Sequence, residues 1–133
     1  MKFSIYQFNL SREAADRINE VGFEGDLGEF AADAKIQRDV KFFGSERWEP
    51  KMASRYTLVA RCEADNLDEV FHIGNGFGDQ DKIERLDRMH SLSVGDLVEC
   101  HDTGDVLMCD PEGWFAVDYM GLQTLDMKQA EVA

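Results

Sequence analysis

The chain has 133 residues, of which 44% are hydrophobic and 31% charged, enough for one domain around one core and too apolar for a disordered chain. No stretch approaches the roughly 18 consecutive apolar residues of a membrane span, and the opening MKFSIYQFNL lacks the pattern of a signal peptide, so a cytoplasmic location is expected. Acids outnumber bases 27 to 14, a net charge of −13, which disfavours direct contact with nucleic acid and favours basic protein partners.

Residues 2–9 mix apolar Phe3, Ile5, Tyr6 and Phe8 with polar Ser4 and Gln7 and predict a first strand. Ser11 is a helix N-cap, with a short helix over 12–20 that buries Ala14, Ala15 and Ile18. Gly22, Gly25 and Gly28 punctuate a loop. From 27 to 43 the apolar residues return at helical spacing, with a break near Asp39 and a strand over 40–43 as the alternative. Trp48 then reads as a lid over the core rather than an exposed contact.

Residues 54–62 predict a strand from their β-branched and aromatic content. Asn66 and Glu69 have the spacing of a capping box, so a helix follows, with Leu67, Val70, Phe71 and Gly74 facing one way. Residues 81–89 are expected to add a short helical turn. The last third predicts short strands at 97–100, 106–109 and 115–118, separated by turns at 102–104 and 111–113, with a frayed tail from Lys128. The expected fold is a single α+β domain with an antiparallel or mixed sheet and two to four short helices.

Three cysteines, Cys62, Cys100 and Cys109, are an odd number within strand-like runs and read as buried thiols. Cys100 adjoins His101, but no CxxC or HxxxH spacing accompanies the pair, and neither metal nor cofactor is expected. The run Gly74-Asn-Gly76-Phe-Gly78 follows a helix rather than a strand and lacks a GK[ST] context, unlike a phosphate loop. Asp79-x-Asp81 opens like a calcium loop without its sixth-position glycine or distal glutamate.

The segment 90-HSLSVGDLVEC-100 places His90, Ser91, Ser93 and Asp96 within seven residues. A serine nucleophile needs a base in reach and an oxyanion hole, and the G-x-S-x-G elbow is absent. A turn explains every residue: Gly95 for a positive φ, Asp96 for local backbone amides, and the serines for exposed backbone groups of the bend.

The segments 67-LDEVF-71, 90-HSLSVGDLVE-99 and 112-EGWFAV-117 resemble the YodL-like domains of proteins carried by bacterial plasmids, conjugative elements and phages, over roughly residues 54–120. The resemblance implies a mobile-element setting and carries no catalytic residue with it.

The last 43 residues hold nine acids and only Lys128 as a base, and a second base-free run lies between Arg61 and Lys82. The leading functional expectation is therefore a small acidic binding protein, a DNA mimic that inhibits a host defence nuclease or DNA-binding protein. Its carboxylate row would be Glu63, Asp65, Asp68, Glu69, Asp79, Asp81, Asp102, Asp105, Asp110 and Glu112. The alternative is an accessory domain that uses an apolar patch at Trp48 or Trp114–Phe115 for a partner or for homodimerisation. The third is a small enzyme built on His90 and Asp96.

Overall fold

The structure is a computed structural model that describes residues 1–8, 11–22, 24–44, 48, 52, 56–110 and 113–117. Glu112, the turn at Pro111 and the tail from Lys128 lie outside the described residues. The elements run β1 (Lys2–Phe8), α1 (Arg12–Val21), α2 (Ala31–Phe43), β2 (Tyr56–Glu63), α3 (Leu67–Gly74), β3 (Ile83–Arg85), β4 (Leu97–Cys100), β5 (Val106–Asp110) and β6 (Gly113–Ala116). The six strands form one sheet in the order β3-β2-β1-β4-β5-β6, every neighbouring pair antiparallel. Among the described residues the fold is thus α+β, with three α-helices around an antiparallel sheet. Among the described residues no helix is long and apolar enough to cross a membrane.

β1 is the centre of the sheet, and its residues from Phe3 to Phe8 are all buried. Phe3 and Ile5 pack on one face with Ala60, Cys62, Val98 and the α3 residues Val70 and Ile73. Tyr6 and Phe8 pack on the other with Leu58, Leu97, Met108 and Val40 of α2. Helices on both sides explain why the strand is not simply apolar on one face and polar on the other. α1 does not reach the sheet core. Its Ile18 joins Leu27 and Ala34 in a smaller cluster on α2.

Local chemistry sets the helix ends. The Ser11 hydroxyl accepts a hydrogen bond from the Ala14 N–H at 3.1 Å and starts α1. α2 runs unbroken through Phe43 to a Gly44 cap whose N–H bonds to the Val40 carbonyl, so the alternative strand over 40–43 does not form. Asn66 caps α3 by accepting from the Glu69 N–H at 2.9 Å, and Glu69 reaches back to accept from the Asp65 N–H at 3.2 Å. The helix buries Val70, Ile73 and Gly74, whereas Phe71 lies on its open side, 39% exposed, against the expectation that it shares the buried face. Residues 80–82 form one 3-10 turn and 83–85 pair with β2, in place of the helical turn expected over 81–89.

The connection from β3 to β4, residues 86–96, must pass two strands to reach its place in the sheet. β2 carries one extra residue, Val59, between the pairs Ile5–Ala60 and Tyr6–Leu58. The Val59 carbonyl accepts from the Leu86 N–H at 2.8 Å and holds the start of this crossover. Its end is held from beneath by Gln7 and Tyr56.

Gly74 packs directly on the crossover. A Cβ there would stand 2.5 Å from Leu92 Cδ1 and 2.9 Å from its Cγ, and Leu92 is itself buried. Gly74→Ala should therefore destabilise the fold by about 1–3 kcal/mol through overpacking, despite the ~1 kcal/mol that alanine gains over glycine in a helix. Urea denaturation of the two proteins checks the sign.

Candidate functional site

The 90–96 segment is a bend that feeds β4. The Gln7 side chain, fully buried, accepts from the His90 N–H at 3.1 Å and donates to the His90 carbonyl at 2.9 Å and to Asp96 Oδ2 at 3.0 Å. Asp96 Oδ2 also accepts from the Ser93 N–H at 2.9 Å. The Tyr56 hydroxyl donates to the Gly95 carbonyl at 2.6 Å, and burial, then the Asp96 charge, keeps that phenol protonated. Gly95 has φ +95°, and a Cβ there would press on Val40 of α2, so glycine is required twice over.

His90 Nδ1 lies 2.8 Å from the Ser91 carbonyl, which can only accept, so Nδ1 carries the proton. Nε2 then faces Asp96 Oδ1 at 4.0 Å. Neither the Ser91 nor the Ser93 hydroxyl makes a hydrogen bond among the described residues. Their backbone groups do the work expected of the hydroxyls. His90 therefore activates neither serine, and the segment acts as a clamp on β1.

A serine–histidine contact does exist elsewhere, and sequence reading missed it. Pairing of β1 with β4 brings Ser4 Oγ within 2.6 Å of His101 Nε2, across 97 residues of chain. Ser4 has no exposed surface and sits within the sheet ladders, so an acyl substrate has no approach to it. His101 thereby diverges from Cys100, which points to the α3 face. Among the described residues no three His, Cys, Asp or Glu side chains converge as metal ligands would. All three cysteines are buried. Burial raises the Cys62 thiol, and burial with the Asp96 and Asp110 charges pushes Cys109 up to about 11, so both are poor nucleophiles.

The acidic residues are distributed around α3. Glu63, Asp65 and Asp81 line an open cleft of about 520 Å³, but Lys2, Arg61 and Lys82 line it too. Lys82 Nζ lies 3.0 Å from Glu69 Oε1, and this hydrogen bond holds the Glu69 carboxyl below its ordinary range. Asp79 caps the 3-10 turn by accepting from the Asp81 N–H at 3.0 Å. Asp102 and Asp105 are exposed on the turn between β4 and β5 and are not among the residues that line this cleft.

Asp68 and Asp110 belong to a second feature, a groove of about 430 Å³ between α3 and the β5–β6 hairpin. They share it with Phe71, His72, Cys109 and Trp114. Phe71 and Trp114 meet edge to face, with centroids 6.4 Å apart. Phe77, 62% exposed, stacks on His72 and extends the aromatic strip beyond the groove. The two apolar patches expected from sequence are thereby redrawn. Trp48 packs on the Tyr56 ring as a lid over the α2 face. Trp114 and Phe115 are neighbours on a strand and so point to opposite faces, with only Trp114 turned toward α3.

No family model, curated protein or solved structure matches the chain.

If the segment is a clamp, Asp96→Ala should cost about 2–4 kcal/mol by leaving one N–H of the buried Gln7 amide and the Ser93 N–H without their acceptor. His90→Ala, at a side chain 40% exposed, should stay within about 1 kcal/mol. Thermal denaturation of both variants checks the contrast. A His90→Ala loss matching that of Asp96→Ala would contradict it.

Proposed function

We propose that the chain is a non-enzymatic binding protein that takes a basic protein partner on the face carrying α3. The carrying observation is the groove that Asp68 of α3 and Asp110 of β5, drawn from two separate base-poor stretches, line together with the Phe71–Trp114 pair. Carboxylates around an apolar centre match the usual anatomy of a binding site, a hydrophobic anchor with a polar rim. The net charge of −13 adds long-range attraction for cationic surfaces and repulsion of nucleic acid.

Nucleases and DNA-binding proteins are the partner class whose surfaces are basic enough to be steered by this field. The resemblance to YodL-like domains gives that partner a setting, a host defence protein met by a mobile element. A strict copy of the DNA backbone needs about one charge per 1.7 Å of axis. Here Lys2, Arg61 and Lys82 stand among the carboxylates of the larger cleft, which breaks a continuous row of negative charge. This layout favours electrostatic steering onto an aromatic anchor over point-by-point phosphate mimicry.

The test is a pulldown from bacterial lysate at low and high salt, with the wild-type chain and the Asp68→Lys/Asp110→Lys variant side by side. The expected result is a basic protein retained at low salt, weakened at least about tenfold by the double reversal and released by salt. Retention by the variant equal to wild type, with unchanged near-ultraviolet circular dichroism, would contradict the reading.

A further inference from the structure

The groove between α3 and the β5–β6 hairpin has a chemistry more selective than negative charge. Asp68 and Phe71 line it from the helix side, and Asp110 and Trp114 from the hairpin side. The two rings are set at 82°, so they cannot hide all their faces against each other, and Phe71 keeps 39% of its surface exposed. Gly113 adds no side chain at the hairpin end, and the space where its Cβ would be is open. Asp68, exposed, makes no hydrogen bond or ion pair among the described residues. The volume of about 430 Å³ lies within the range of side-chain and small-ligand sites.

Four occupants can be compared on this chemistry. An anionic group meets two carboxylates and is repelled. A neutral apolar side chain packs on the rings but strips water from the Asp68 carboxylate without pairing it. A lysine ammonium pairs with a carboxylate but is compact and strongly hydrated. A guanidinium is planar, weakly hydrated, stacks on aromatic faces and forks onto carboxylate oxygens. We infer that this groove takes an arginine side chain of the partner protein. The inference rests on the basic-partner reading above and narrows it to one residue type at one place.

The test uses the full chain, labelled with nitrogen-15, and the acetylated and amidated peptide Gly-Arg-Gly-Arg-Gly, with lysine and citrulline counterparts as probes. The two tryptophan indole N–H signals report from different faces, because Trp48 packs on Tyr56 on the α2 side. The arginine peptide should shift the Trp114 indole and the Phe71 amide and leave the Trp48 indole in place. The lysine peptide should bind more weakly by about tenfold, and the isosteric but uncharged citrulline peptide more weakly still. Phe71→Ala changes an exposed side chain and should weaken the arginine peptide by a similar factor while the remaining spectrum is kept. Equal binding of lysine and arginine peptides overturns the inference. So do shifts confined to the Glu63, Asp65 and Asp81 cleft with a still Trp114 indole, an outcome that leaves the basic-partner reading intact. Absence of binding by every cationic peptide at low salt overturns both.

Discussion

The structure depends on a strand that is buried on both faces and yet carries two polar side chains. β1 lies at the centre of six strands, with α3 over one face and α2 over the other. In that position neither Ser4 nor Gln7 can reach bulk water, and an unpaired amide there would be costly. Gln7 meets the constraint by bonding to residues 90 and 96, the two ends of the bend before β4. A requirement of one buried amide thereby becomes a long-range link between the first strand and the last third of the chain.

That link decides where the groove can form. The 86–96 crossover starts at the Val59 bulge, runs past the end of β2 and β1, and is fixed by Gln7, Tyr56 and Asp96 before it enters β4. With β4 placed against β1, the β5 and β6 strands extend the sheet on the far side, and Trp114 comes to stand beside Phe71. The helix supplies one wall and the hairpin the other. Neither wall makes a site by itself, since Asp68 and Phe71 belong to α3 while Asp110 and Trp114 belong to the hairpin. The clamp thus has a structural role: it fixes β4 against β1, and through β4 it places the β5–β6 hairpin that forms the second wall of the groove.

The elements that could be read in the sequence are those whose causes are local. Ser11 and Asn66 announced their helices because a cap acts within three residues. Gly95 and Asp96 announced a bend because a positive φ and an aspartate bonded to a nearby amide are properties of the segment itself. β3 was hidden because Glu84 and Arg85 lie at a sheet edge, exposed, and carry no apolar pattern. The strand alternative at 40–43 looked plausible because Val, Phe and Phe fit either state until the packing of Val40 against Tyr6 and Leu97 decides. Phe71 and Ile73 compete for the same buried face of an eight-residue helix, and spacing alone does not rank them. The candidate acids could be named from composition, but not sorted. Only the fold puts Lys82 on Glu69 and sets Asp68 with Asp110 in one groove.

The most direct measurement of this account is native-state hydrogen exchange on Gln7→Met, a substitution that keeps the volume and removes the hydrogen bonds from the Gln7 side chain to residues 90 and 96. The clamp account predicts that the Gly95 and Cys109 amides, which join the bend to β5, lose protection by at least about tenfold relative to the β1–β2 amides. It also predicts that the close contact between the Phe71 and Trp114 rings weakens in the same variant. Unchanged relative protection, with the Phe71–Trp114 contact intact, would mean that the crossover and the groove are held by something other than the buried amide of the central strand.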